Sequence, residues 1–557
     1  MSFDRRKFIQ HGGAVAAALF TSQAGSMEWV PPPAGMCRGP RLRKTAFDAA
    51  AKPPRQQLNA LTLARFVDAL PIPEILKPSG TRPDPLDAKK QRPYYRVAMR
   101  QIEQAVHRDL KPTRLWSYGD AMPGPVIETR SGEGVWVEWG NALPKQHFLP
   151  IDHTLHGADT GVPDVRTVVH LHGAKAPPAS DGYPDDWQVP GQTKLIWYPN
   201  QQDAAMLWYH DHTMGIERLN VYAGLFGAFF IRDAAEDALN LPKGEFEIPL
   251  VIFDRSFDRN GQLDYADTGD PAAPWVSEMV GEAVLVNGKI TPFLEVQPRA
   301  YRFRVLNASN GRTFDLTLDN QQGFQQIGSD QGLLAAPAPL QDLLLAPAER
   351  ADLVIDFSQH AGKNIVLKDN HLHDVMQFRV AAKPAIAAPA LLLPAKLRDI
   401  HRIPESSAVR TRTMTLNEYA DPTTGETTLL LLNGKRWHEP VTEKPTLDTV
   451  EIWEFVNLTE DTHPVHLHLV RFQVLDRRAF ALQEFRNTGK IHYLGDVVPP
   501  RPGETGWKDT VQVYQRVVTR IIVRFEGYTG RYLWHCHIME HAGNEMMRPF
   551  EVLPRKA

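Results

Sequence analysis

Near the C-terminus the chain reads Trp534-His535-Cys536-His537-Ile538-Met539-Glu540-His541-Ala542-Gly543-Asn544-Glu545-Met546. Side chains alternate faces along an extended strand, so residues two apart share a face. His535 and His537 therefore project one way and Cys536 the other, and one strand serves two separate sites. Three further windows carry the same residue types: His170-Leu171-His172-Gly173, Trp208-Tyr209-His210-Asp211-His212 and His463-Pro464-Val465-His466-Leu467-His468. Ten of the 21 histidines fall in these four windows, which chance does not readily produce. His463 lies an odd number of residues from His466 and His468, which places it on the side of the thiol.

Parity thus sorts the ligands into two sets. His463, Cys536 and His541 form a two-imidazole, one-thiolate trigonal set with Met546 as a soft axial thioether, the combination of a blue-copper electron-transfer site. The other eight, His170, His172, His210, His212, His466, His468, His535 and His537, form an all-imidazole set suited to copper. Zinc sites rarely take more than four ligands, so eight imidazoles imply several ions, and three is the natural count. His371-Leu372-His373 and His153-Thr154-Leu155-His156 stand apart and read as surface or hydrogen-bonded histidines. The two cysteines of the chain are Cys37 and Cys536. A bridge between them is set aside because Cys536 occupies a ligand position, which leaves Cys37 without an assigned role.

The four windows resemble the multicopper oxidase signature. Leu149-Pro150-Ile151-Asp152-His153 through Asp186-Trp187, with Gly506-Trp507-Lys508-Asp509-Thr510, is similar to the bacterial spore-coat laccase and phenoxazinone synthase branch, bilirubin oxidase being more distant. The resemblance covers nearly the whole chain after an N-terminal arm. It implies an all-β protein of three cupredoxin-like Greek-key β-sandwich domains and four copper ions. One type 1 copper belongs in the third domain, and one type 2 with two type 3 coppers lie between the first domain and the last. The resemblance assigns His170 and His466 to the type 2 copper, and His172, His210, His212, His468, His535 and His537 to the type 3 pair. It also gives Asp181 a role in proton delivery, although Asp181-Gly182 alone reads as a turn. The implied activity takes single electrons from a small phenolic or related aromatic reductant and reduces dioxygen to water. Electrons would enter through an exposed edge of a type 1 histidine and pass by Cys536 to His535 and His537. Many members of the family carry an acidic residue directly after the type 1 histidine; here that position is Ala542, with Glu540 and Glu545 as candidate substitutes.

Length and composition agree with this reading. A chain of 557 residues exceeds one ordinary core and suggests about three domains. With 43% apolar and 23% charged residues it is a globular composition, and 45 prolines with 38 glycines favour short strands joined by turns. A net charge of -3 offers no basic surplus for nucleic acid. Asp4-Arg5-Arg6-Lys7-Phe8, followed by the apolar Ala14 to Phe20, reads as a twin-arginine signal over 1–27. Export to the periplasm or beyond follows, with no membrane span and a monomeric mature protein. Residues 28–235 then comprise a proline-rich arm, extending to about 115, and domain 1. Residues 236–395 make domain 2 and 396–557 domain 3, with an Ala/Pro/Leu-rich linker near 382–404. Domain 2 has no clustered ligands.

Two rivals remain at this level. A cuprous-ion metallo-oxidase of copper tolerance would be expected to carry Met-rich segments, whereas the 13 methionines form no run beyond Met546-Met547. A non-catalytic cupredoxin envelope protein would be expected to have lost ligands, and none is missing here.

Overall fold

The computed structural model describes residues 57–371, 373–384 and 392–555. The signal segment, Cys37 and the middle of the 382–404 stretch lie outside the described residues. Strands dominate, gathered in six sheets that fall into three pairs along the chain.

The first pair joins a five-stranded sheet containing Val135–Asn141 and Thr193–Tyr198 to a four-stranded sheet of Gly124–Arg130, Val169–His172, Ala205–Asp211 and Phe226–Arg232. Trp139, Tyr118 and Tyr209 fill the core between them, with ring centroids 5.0 to 5.3 Å apart in tilted and edge-on contacts. The second pair, an eight-stranded and a five-stranded sheet between Glu247 and Val380, encloses Phe303, Phe357 and Phe378. The third pair, six-stranded and four-stranded, encloses Trp453, Phe455, Trp534 and Phe550. Each sandwich mixes antiparallel neighbours with a parallel pair of strands distant in sequence. Tyr94–Met99 runs beside Trp136–Asn141, Glu247–Ile252 beside Arg302–Asn307, and Ala408–Leu416 beside Val450–Asn457. Long crossovers of this kind make the Greek-key sandwich that the resemblance implied.

The proline-rich arm ends earlier than the composition suggested. Gly80–Pro83, Gln91–Gln104 and Thr113–Tyr118 are strands, and Gln91–Gln104 pairs on both edges inside its sheet. Proline is tolerated there because Pro93 lies before the stretch that pairs with Val135–Asn141. Residues 57–79 form the arm proper. Leu70 N donates to Phe293 O at 2.7 Å and Leu76 N to Val126 O at 2.8 Å, so this segment ties the second sandwich to the first. Among the described residues no helix is long and apolar enough to cross a membrane.

The ligand-bearing strand Gly530–Cys536 is anchored by Trp534, which is fully buried with its ring 5.7 Å from Trp453 and 6.0 Å from Phe455. Trp534→Ala is expected to cost about 3–5 kcal/mol of stability. In urea the midpoint should fall with little change in slope.

Candidate metal centres

Strand register explains how the first ligand set comes together. Val465 lies directly opposite Cys536, and His466 opposite His535, in the antiparallel pairing of His463–Leu467 with Gly530–Cys536. His463, two residues before Val465, therefore shares the face of Cys536. His541 returns to the same place from the short helix Met539–Ala542 that follows the strand. Cys536 Sγ stands 3.5 Å from His463 Nδ1 and 3.7 Å from His541 Nδ1, and the two nitrogens are 3.2 Å apart. The loop is closed by its backbone: Met546 N donates to His541 O, and Cys536 N to Met546 O. Met546 is fully buried in the same core as Cys536.

His463 Nε2 lies 2.7 Å from the Thr459 hydroxyl, which leaves Nδ1 for the sulfur side, and Ile538 N donates to Sγ. Burial lowers the His463 pKa to about 3 and raises that of the Cys536 thiol. The imidazoles are thus neutral, the ligand form, and the thiol needs a bound cation to become a thiolate.

The second set is assembled by the facing sheets of the first and third sandwiches. His170 pairs directly with His210 across antiparallel strands, their rings 5.5 Å apart, and His172 and His212 continue the same faces. From the other side, His535 Nε2 approaches His212 Nε2 and His468 Nε2 at 3.3 Å each. His170 stacks on His468 at 3.8 Å and His172 on His466 at 3.6 Å. His537 completes the group, 5.2 Å from His210 and 5.0 Å from His172 between ring centres. All eight are buried.

One nitrogen of most rings is held by a named oxygen. Asp181 O takes His170 Nδ1 at 2.5 Å, Asp211 O takes His210 Nδ1 at 2.8 Å, Asp509 O takes His466 Nδ1 at 2.8 Å and Cys536 O takes His535 Nδ1 at 2.9 Å. The opposite nitrogens are the telling feature. His170 Nε2, His172 Nδ1, His210 Nε2, His466 Nε2 and both nitrogens of His537 are buried without any hydrogen-bond partner. Buried polar atoms are rarely left so, and metal ions bound here would satisfy them. Burial keeps these imidazoles neutral, His170 at about 3 and His212 at about 4.

Asp181 ends the short helix Pro178–Asp181, and Gly182 caps it with φ of 84°. A Cβ there would lie 2.4 Å from Val169 O, so the turn requires glycine. The Asp181 side chain does more than turn the chain: its Oδ2 takes His468 Nδ1 at 2.8 Å, and burial raises its pKa well above the usual carboxylate range. His153 bonds Ala158 O, and neither it nor His156, His371 or His373 belongs to a ligand cluster among the described residues.

Three features were not visible in the sequence. Both imidazoles of the thiolate set are closed off, His463 at 0% and His541 at 1% exposure, so the expected exposed edge is absent. Trp275 is buried in the same core as Cys536, its indole N–H donating to Glu540 O, and the Ser277 backbone bonds the His541 ring. Of the two acids that could stand in for the one missing at Ala542, Glu540 accepts through Oε1 from Tyr265 and Asn310, each at 2.7 Å, and Glu545 accepts from Trp437 N. A different acid, Glu217, places Oε2 3.0 Å from His212 Nδ1, on a helix that packs against Met539–Ala542. Asp509 touches both His172 and His466. Burial opposes its charge, but Arg350 outweighs that and keeps its pKa below the usual value.

Comparison with known proteins follows the same lines. Multicopper oxidase family models match residues 161–236 and 405–556, the two regions that supply every ligand. The chain is 46% identical over 522 residues to a laccase of Bacillus subtilis (strain 168), covering 88% of this chain and 99% of that one. The crystal structure of a laccase from Pediococcus acidilactici Pa5930 superposes with a TM-score of 0.71 at 28% identity, covering 88% and 95% of the two chains. A Campylobacter jejuni metallo-oxidase, at 21% identity and a TM-score of 0.69 over 92% and 100% of the chains, shares the fold. With both ligand sets complete and the likeness spanning nearly all of the described chain, this protein belongs to the multicopper oxidase family, as a laccase-like oxidoreductase.

Proposed function

We propose that the chain couples one-electron oxidation of small phenolic or related aromatic molecules to four-electron reduction of dioxygen to water. The observation that carries this reading is the pair of ligand sets on opposite faces of one strand, joined through the backbone of His535, Cys536 and His537. In this reading the cofactors are four copper ions. His463, Cys536 and His541, together with Met546, would hold the type 1 ion, and His170 and His466 would hold the type 2 ion. His172, His210, His212, His468, His535 and His537 would hold the type 3 pair. When bound, such ions accept electrons singly and deliver them together to dioxygen, so that partly reduced oxygen is not released.

The protein's own groups set the conditions for that chemistry. The covalent link from Cys536 to its neighbours shortens the path between the sets. Asp181 aims His170 and His468, and its carboxyl is the atom group assigned to hold a proton for the developing water. Burial of all the ligands keeps solvent from competing for them. Residues 28–235, 236–395 and 396–557 act as three domains of one monomer, exported by the twin-arginine route to the periplasm or medium.

Copper analysis, a visible spectrum and oxygen uptake test this directly. Four coppers per chain, a blue band and faster uptake with a substituted phenol than with cuprous ion are expected. Preference for cuprous ion would support the metallo-oxidase reading, and a colourless, copper-free protein from copper-replete cells would refute both.

A further inference from the structure

The middle sandwich contributes no ligand, yet it reaches the all-imidazole cluster at Asp509, through a buried ion pair from Arg350 and a hydrogen bond from Gln331. Asp509 meets two ligand rings in two ways. Its carboxylate Oδ1 takes His172 Nε2 at 3.0 Å, and its backbone O takes His466 Nδ1 at 2.8 Å. Each contact engages one nitrogen and leaves its opposite number, His172 Nδ1 or His466 Nε2, buried and without a partner. Leu467 N donates to the backbone carbonyl at 3.1 Å and holds it, but a carboxylate can rotate about its own bonds and needs a second anchor.

Gln331 Nε2 donates to Asp509 Oδ2 at 2.6 Å and the Thr510 hydroxyl to Oδ1 at 3.0 Å, but the charged anchor that grips both oxygens is Arg350, at the start of the strand Arg350–Asp356. Nη1 donates to Asp509 Oδ1 at 2.7 Å and Nη2 to Oδ2 at 2.5 Å, a bidentate fork. The guanidinium is itself immobilised: Nε donates to Met206 O, Nη1 to Ala348 O and Nη2 to Asp330 O. All five of its N–H groups are thereby engaged. The surroundings leave no slack. A Cβ at Gly173, next to His172, would stand 2.6 Å from Asp509 Oδ2 and 2.9 Å from Arg350 Nη2.

We propose that Arg350 is a positioning residue for the all-imidazole cluster, holding Asp509 so that His172 and His466 present their free nitrogens to it. The proposal rests on the reading that these imidazoles bind copper. Lysine cannot replace Arg350, because a single ammonium does not reproduce a planar fork with five assigned donors.

Copper content, blue absorbance and electron paramagnetic resonance of the full copper-loaded chain test it, with Arg350→Lys and Asp509→Asn as variants. Both should keep the blue band and the type 1 signal while copper of the all-imidazole set, above all the type 2 signal, is altered. That copper should pass to a chelator with affinity about ten- to a hundredfold weaker. Arg302→Lys is the control: Arg302 is another buried arginine of the same sandwich, paired with Asp352 and Glu236, and its replacement should leave both signals unchanged. The proposal is overturned if the two variants match the wild type in type 2 signal and chelator resistance, or lose type 1 and type 2 signals in parallel. Because Asp509→Asn preserves shape, it serves if Arg350→Lys fails to fold. A wild-type chain that binds no copper would instead overturn the functional reading, and the positioning role with it.

Discussion

Cys536→Ser should give a soluble, colourless protein whose phenol-dependent oxygen uptake is lower by about 10³-fold or more, the scale of losing a group without which the chemistry cannot proceed. The sulfur is the only thiol in its set and, with a type 1 copper bound there, would be the source of the blue band. Serine is nearly isosteric, so the sandwich core around Trp534 and Phe550 should persist. Absorbance, copper content and circular dichroism together check this. A variant that stays blue, or that keeps oxidase activity, would contradict the assignment of the two faces of the strand.

His535→Ala, one residue away, should do something different. Its Nε2 lies 3.3 Å from His212 and His468, on the face opposite the sulfur. The variant should remain blue, be bleached by phenol without air, and fail to regain its colour when air is admitted, with steady-state oxygen uptake again down by about 10³-fold or more. Adjacent substitutions would then separate colour from oxygen reduction. Loss of colour in His535→Ala would mean that the two sets are not independent, and full recovery in air would remove His535 from the oxygen-reducing site.

Much of the fold was also legible, with one instructive miss. The alternation in Val135-Trp136-Val137-Glu138-Trp139 marks a strand, and the structure extends it to Asn141 with every second residue buried. The same alternation runs through Tyr95, Val97 and Met99, all buried, inside the stretch that proline content marked as an arm. Local period was the better guide there, because proline disrupts a strand only where its missing N–H is needed.

What the sequence by itself determined is which side chains are the candidate ligands and how they divide between two clusters, since both follow from a two-residue period that is local to each strand. The tertiary structure alone decided how those ligands are held and covered. Arg350 and Asp509 are 159 residues apart and meet only because separate sandwiches pack together. Glu217 beside His212, and the Trp275 indole on the Glu540 carbonyl, likewise depend on which loops and helices close over the strands. No periodicity encodes such contacts, because they arise from packing between elements rather than from the geometry within one.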